Sequence, residues 1–204
     1  LWNSAQCVQD SLIESKLDQT RPVGICMGRH HGSIISLLGV LRWGGHFLLI
    51  DKENPLDRLE YLIDDSKLST LIVDKNTYNQ LESVIPNGIL CHCFEDIIDR
   101  DTIKIDVQKP DDRSISFLEK KSYLIYTSGS TGRPKASINT HLGLANLVEQ
   151  QIETFCVNSR SRVLHFSNFS FDASISEIFV TLCSGSSLHM AEREKLLPGS
   201  GLID

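Results

Sequence analysis

From Pro22 onward, short apolar runs alternate with segments whose apolar residues recur every three or four positions. Val23-Gly24-Ile25-Cys26-Met27 predicts a buried strand, and Ile34, Ile35, Leu37, Leu38 and Leu41 then follow at helical spacing. Gly44-Gly45 predicts a left-handed C-cap for that helix. Phe47-Leu48-Leu49-Ile50 is the next strand, Asn54-Pro55 supplies an N-cap with a first-turn proline, and Leu56, Leu59, Leu62 and Ile63 share a helix face. Thr70-Leu71-Ile72-Val73 completes a β-α-β-α-β run. Strands apolar on both faces and separated by helices predict an α/β fold, with Rossmann-like parallel sheets covered by helices.

The flanking segments carry less pattern. Residues 1–20 predict a helix with Val8, Leu12, Ile13 and Leu17 on one face. Nothing caps its start, so the chain is expected to begin inside a larger polypeptide. Ile89 to Phe94 predicts a further strand, and the charged region from Asp99 to Arg113 a surface excursion. After residue 135, Ser137-Ile138-Asn139 is extended, and residues 141–157 form a helix with Leu144, Leu147, Val148 and Ile152 inward. Val163-Leu164-His165-Phe166 is a strand. A last helix carries Ile175, Ile178, Phe179 and Leu182 on one face, with Ser174-x-x-Glu177 as a capping box and Gly185 as its stop.

At 204 residues the chain is one ordinary domain or a piece of a larger one. A net charge of −6 argues against nucleic acid or an anionic membrane as main partner. No run approaches the ~18 apolar residues that span a bilayer. The six cysteines lack framework spacing and no signal peptide is present, which predicts reduced, mostly buried thiols in a cytoplasmic protein. Cys91-His92-Cys93 reads as a strand in preference to a zinc site, because neighbouring residues on a strand point to opposite faces.

One stretch carries chemistry. Tyr123-Leu124-Ile125 predicts a buried strand that opens into Tyr126-Thr127-Ser128-Gly129-Ser130-Thr131-Gly132-Arg133-Pro134-Lys135. Gly129 and Gly132 let backbone approach a ligand, and the exposed N–H groups can form an anion-binding nest. Thr127, Ser128, Ser130 and Thr131 add hydroxyls, and Lys135 adds a movable charge. A solvated Ser/Gly linker has the same composition but needs neither a buried strand before it nor an Arg-Pro-Lys exit. No Gly-Lys-Ser/Thr occurs, so this is not a Walker A loop.

The stretch resembles the signature loop of the AMP-forming, adenylate-forming enzymes, a superfamily of acyl-CoA synthetases, luciferases and nonribosomal peptide synthetase adenylation domains. Ala136 stands where that family usually has glycine. The run from Leu41 to Asp51 is similar to a stretch of the peptide synthetase branch, with Leu49 in place of a proline and Trp43 in place of a small residue. Phe171-Asp172-Ala173-Ser174-Ile175-Ser176-Glu177 resembles that branch's next core motif.

On its own terms this second motif is the polar start of a helix, with Asp172 favouring the helix dipole. The resemblance implies more: Asp172 pairs with the α-ammonium of an amino acid, and Ala173 and Ser176 line its side-chain pocket, Ser176 replacing a frequent tryptophan. A carboxylate facing an ammonium is worth roughly 4 kcal/mol at 4 Å with an effective dielectric of 20, before desolvation. His141 opens its helix as a histidine commonly does in the family.

The resemblance covers most of residues 21 to 190 and implies a partial adenylation domain over 1–204, the incomplete large N-terminal subdomain without the C-terminal one. The implied reaction joins an amino acid to ATP, brought with Mg2+ as substrate complex, giving aminoacyl-AMP and pyrophosphate. Thr127, Ser128, Gly129, Ser130, Thr131, Gly132 and Lys135 would hold ATP, Lys135 catalytically. The aminoacyl group would pass to phosphopantetheine on a peptidyl carrier domain, with condensation domains as further partners. The isolated chain is expected to catalyse little. A fragment of an acyl- or aryl-CoA ligase, and a non-catalytic remnant, are the alternatives.

Overall fold

A strand with apolar residues in every position has no face to give to water and must be covered twice. The computed structural model, which describes residues 1–68, 70–83, 85–99, 115–128 and 133–197, meets that demand with helices on both sides of one sheet. In chain order the elements are α1 (Trp2–Glu14), β1 (Val23–Cys26), α2 (His31–Trp43), β2 (Phe47–Leu49), α3 (Leu56–Ser66), β3 (Thr70–Val73), α4 (Lys75–Leu81) and β4 (Leu90–Cys93). They continue as α5 (Phe94–Ile98), α6 (Ile115–Leu118), β5 (Lys121–Thr127), β6 (Lys135–Thr140), α7 (His141–Thr154), β7 (Arg162–His165), α8 (Asp172–Ser184) and β8 (Ser187–Met190). A short 3-10 helix, Arg193–Leu196, follows.

The main sheet has the order β4-β3-β1-β2-β5-β6 and is parallel except for β6, which runs antiparallel to β5 at the edge. Strands β7 and β8 pair in parallel as a separate sheet. Side chains of the main sheet divide by the period of two. Val23, Ile25, Phe47, Leu49, Ile72, Tyr123 and Ile125 enter the core shared with α1, α2, α7 and α8. Cys26, Leu48, Leu71, Val73, Leu124 and Tyr126 enter the other, shared with α3 and α4. The chain leaves β1 toward one face and β3 toward the other. That divergence opens a crevice at the carboxyl ends of the strands, as in other doubly wound sheets.

Helix α1 covers α2 at the first core, and Gly39 sets their separation. A Cβ at Gly39 would lie 2.5 Å from Val8 Cβ and 2.8 Å from the Ala5 carbonyl oxygen. Gly44, at φ +88°, closes α2 as a left-handed C-cap, as the sequence predicts.

Several expectations shift. Ile13 is exposed, because α1 buries only Ala5, Val8, Ser11 and Leu12. Helix α3 takes Pro55 as its N-cap; the Asn54 amide instead donates to the Asp51 carbonyl, and Leu56 faces solvent. Phe94 begins α5 and does not extend β4, which is a half-buried edge strand. Helix α7 stops at Thr154, before Cys156 turns to φ +53°. The thiols are free, yet Cys26 alone is buried and Cys156 and Cys183 are exposed, so the expectation of mostly buried thiols fails: Cys156 lies past a helix end. The expected excursion between Asp99 and Arg113 lies outside the described residues from position 100.

Gly39→Ala tests the α1–α2 contact. Helix propensity favours alanine by about 1 kcal/mol, whereas overpacking against backbone typically costs about 1–3 kcal/mol. The clash includes a carbonyl that cannot rotate away, so a lower urea midpoint at unchanged slope is expected.

Candidate functional site: the β5–β6 hairpin and the start of helix α8

Strand β5 carries the hydroxyl-rich stretch out of the core. Tyr126 is buried, and its hydroxyl donates to Asp65 Oδ2 at 2.7 Å. Burial first and Asp65 second raise its phenol well above the usual range. Tyr61 stacks edge-on against it at 6.4 Å and donates to the Pro134 carbonyl at 2.9 Å. Helix α3 therefore grips the stretch where it leaves β5 and where it returns. Thr127 lies opposite Lys135 and Tyr126 opposite Ala136, which makes the structure a hairpin and not a strand-to-helix turn. Thr127, Ser128 and Lys135 are exposed. Gly129, Ser130, Thr131 and Gly132 lie outside the described residues.

The register decides where these groups point. Residues opposite one another share a face, and faces alternate along a strand. With Tyr126 on the α3 side, Thr127 and Lys135 project with Tyr123 and Ile125 toward the side of α7 and α8.

Asp172 begins α8 on that side. It is exposed, and its Oδ1 accepts the Ala173 N–H at 2.8 Å. Its charge, after burial, raises the Tyr123 phenol. Ala173 is exposed, and the half-buried Ser176 hydroxyl donates to Gln151 Oε1 of α7. Gln151 is a partner the sequence pattern does not single out. An i+4 neighbour of Leu147 on a helix has no signature until α7 and α8 are packed.

The expected capping box does not form. Phe171 is the N-cap of α8 and makes no side-chain cap. Ser174 Oγ lies 3.0 Å from His165 Nε2 instead. Glu177 turns back and accepts the N–H groups of Phe166 and Ser167 at 3.0 and 3.1 Å, and the Ser167 hydroxyl at 2.7 Å. Arg29, from the β1–α2 turn, donates to the carbonyls of His165 and Phe166 at 2.6 and 2.5 Å. Asn168 Nδ2 donates to Asp51 Oδ2 after β2.

His165 is wholly buried, with Phe169 packed on its ring at 4.7 Å. Burial, then the Arg29 charge, lowers its pKa to about 4. Arg29 Nη1 also stands 3.1 Å from His165 Nδ1, and a guanidinium only donates. Nδ1 must therefore accept, which leaves the ring proton on Nε2 for Ser174. Glu177 Oε2 is 4.0 Å from that Nε2 and faces a neutral ring.

Two concavities flank these elements. A polar crevice of about 520 Å³ at the strand ends is lined by Arg29, Asp51, Lys52, Asp74 and Asn168. An apolar groove of about 810 Å³ lies between α2, α7 and α8, lined by Leu38, Leu41, Leu144, Val148 and Phe179. The groove holds neither Asp172 nor Lys135 and is remote from the hydroxyl-rich hairpin in its lining. Among the described residues no group of three or more His, Cys, Asp or Glu side chains could hold a metal ion, and no helix is long and apolar enough to cross a membrane.

This sheet and its hairpin define a class. The family of AMP-binding enzymes matches residues 1–203, and the chain belongs to that family. Within it, the chain is 35% identical over 191 residues to bacitracin synthase 3 of Bacillus licheniformis, covering 94% of this chain and 3% of that protein. It is 32% identical over 188 residues to tyrocidine synthase 1 of Brevibacillus parabrevis, covering 91% of this chain and 16% of that one. The chain thus spans a small part of its curated relatives.

Among solved structures, the nonribosomal peptide synthetase FmoA3 in its alpha-methyl-L-serine-AMP bound form is 26% identical, with a TM-score of 0.76 over 91% of this chain and 20% of that one. The Klebsiella oxytoca NpsA N-terminal subdomain shares the fold, with a TM-score of 0.79 at 21% identity over 98% of this chain and 48% of that one.

Burial also lowers the His46 pKa to about 4, with Lys121 second. Both histidines are depressed below the 6.5 of the unfolded chain, so the unfolded state takes up protons first. Their contribution is full above about pH 6.5 and lost as pH falls to about 4. The urea midpoint is expected to be lower at about pH 5 than at about pH 7. An unchanged midpoint would count against neutral buried rings.

Proposed function

We propose that the chain is the N-terminal portion of a nonribosomal peptide synthetase adenylation domain, whose parent joins an amino acid to AMP. The observation that carries this reading is the shared side of the sheet. Lys135 and Thr127 project toward the face of the sheet that α8 covers, and α8 begins with Asp172.

Phosphoryl chemistry of this kind is catalysed mainly by positioning and by charge stabilisation. Thr127, Ser128 and the residues 129–132 would hold the β- and γ-phosphates, and Lys135 would balance charge gathering on departing pyrophosphate. Asp172 would receive the α-ammonium and leave the carboxylate to attack the α-phosphorus. Its exposure in this chain suits a ligand-facing carboxylate, since no cation here competes for it among the bonds described. Ala173 and Ser176, with Gln151 beyond, would border the substrate side chain. Magnesium would arrive with ATP as part of the substrate complex. Transfer to phosphopantetheine on a carrier domain, neighbouring condensation domains and a cytoplasmic location belong to the same reading of the parent.

ATP–pyrophosphate exchange with a panel of amino acids tests the parent. Asp172→Ala is expected to lower amino acid-dependent exchange by about 10²-fold or more, in the range of losing a charge pair of about 3–5 kcal/mol. Undiminished exchange, or equal use of acids without an amino group, would transfer the chain to the acyl- or aryl-CoA ligases. Lys135→Ala, read by calorimetry with ATP, is expected to weaken nucleotide binding about tenfold, as loss of one charge-assisted contact does. Equal affinity would leave the hairpin without its assigned role.

A further inference from the structure

We infer that Arg29 and Glu177 are positioning residues for amino acid recognition, acting through the peptide segment 165–167 to set where Asp172 stands. This rests on the adenylation reading above. Asp172 itself has no side-chain partner to hold it, and its carboxylate accepts only the neighbouring Ala173 N–H among the bonds described. Its place is therefore the place of the α8 N-terminus, and that terminus lacks a side-chain cap.

What fixes it is a two-sided grip on the chain just upstream. Arg29 takes the carbonyl side, at His165 and Phe166, with both terminal nitrogens of its guanidinium. Glu177 takes the amide side, at Phe166 and Ser167, and adds the Ser167 hydroxyl. Phe166 is thus held at its carbonyl by the β1–α2 turn and at its N–H by α8. Bonds with an ionised partner are the shorter and stronger kind, and a planar fork also imposes direction.

The grip spans separate parts of the fold. Arg29 belongs to the turn after central strand β1, Glu177 to α8, and the held segment to the end of β7. Asn168 adds a tie to Asp51 at the end of β2. His165 keys the joint, because its Nδ1 faces Arg29 and its Nε2 faces Ser174 on α8. The segment cannot slide along β7 without breaking bonds on both sides. Since the main sheet also carries Thr127 and Lys135, the grip fixes the spacing between the hairpin and the carboxylate. Displacements of about 1 Å at a recognition group can cost about 10²-fold in rate.

Kinetics on the parent enzyme separates this from a merely structural role. Loss of folded enzyme lowers kcat and leaves both KM values alone. Arg29→Ala and Glu177→Gln are each expected to raise the amino acid KM about tenfold with the ATP KM within about twofold, and Arg29→Lys to recover part of the loss. Ser167→Ala, which keeps both amide bonds to Glu177, should fold whatever the others do and raise the amino acid KM about two- to threefold. An unchanged amino acid KM in these variants, or an equal rise in both KM values, overturns the inference. Asp172→Ala in the same series keeps the two levels apart. If it abolishes amino acid activation while Arg29→Ala and Ser167→Ala leave the amino acid KM unmoved, only the grip is wrong; if it changes nothing, the adenylation reading falls too.

Discussion

Strand β5 is buried on both faces and must still deliver the exposed Thr127 and Ser128 at its end, and the rest of the molecule accommodates that demand. Tyr123 and Ile125 fill one core, while Leu124 and Tyr126 fill the other. A one-residue slip would exchange the two sets and turn Lys135 to the opposite side of the sheet. The register is pinned from both directions. Parallel pairing sets Phe47 against Tyr123, and α3 fastens the far end through Asp65 to Tyr126 and Tyr61 to Pro134. The hairpin is thus anchored at its base.

Helix α8 meets a different problem. Its first residues are exposed and uncapped, yet its body is packed into the first core through Ile175, Ile178 and Phe179. Packing fixes the helix axis but constrains the entering chain weakly, because a terminal turn has few buried atoms. Polar bonds with strong directional preference do that work here. Arg29, Glu177 and the neutral His165 are all held in one connected network, and such networks specify geometry when every member is satisfied.

Much of this was legible beforehand. The five elements from Val23 to Val73 follow from apolar runs of strand length separated by helical periods, and Gly44 marked its C-cap by the only common residue that takes φ +88° without strain. The hairpin's base was legible as a buried strand followed by hydroxyls and glycines. The sequence could not give the antiparallel turn of β6, because pairing direction depends on where the chain returns and not on local composition. It also misled at Ser174 and Glu177. Their spacing is that of a capping box, but the buried His165 and the unpaired amides after β7 compete for the same side chains and prevail. Long-range polar partners such as Arg29, 136 residues from His165, carry no local signature at all.

The hairpin also constrains how phosphate could be gripped. In strand-to-helix loops, the N-terminus of the following helix supplies aligned N–H groups and about half a positive charge. Here β6 intervenes, and α7 begins only at the end of that strand, after Thr140. Thr140 lies five residue steps of extended chain beyond Lys135, about 17 Å at 3.4 Å per residue, which is beyond the reach of a helix-end dipole confined to its first turn. A polyphosphate held at this hairpin would therefore gain nothing from the α7 N-terminus, and the protein's own share of the compensating charge, beside any magnesium carried with ATP, would come from side chains. Arg133 and Lys135 stand at the exit of the stretch in an otherwise acidic chain, and on the adenylation reading they are the cations that would supply it.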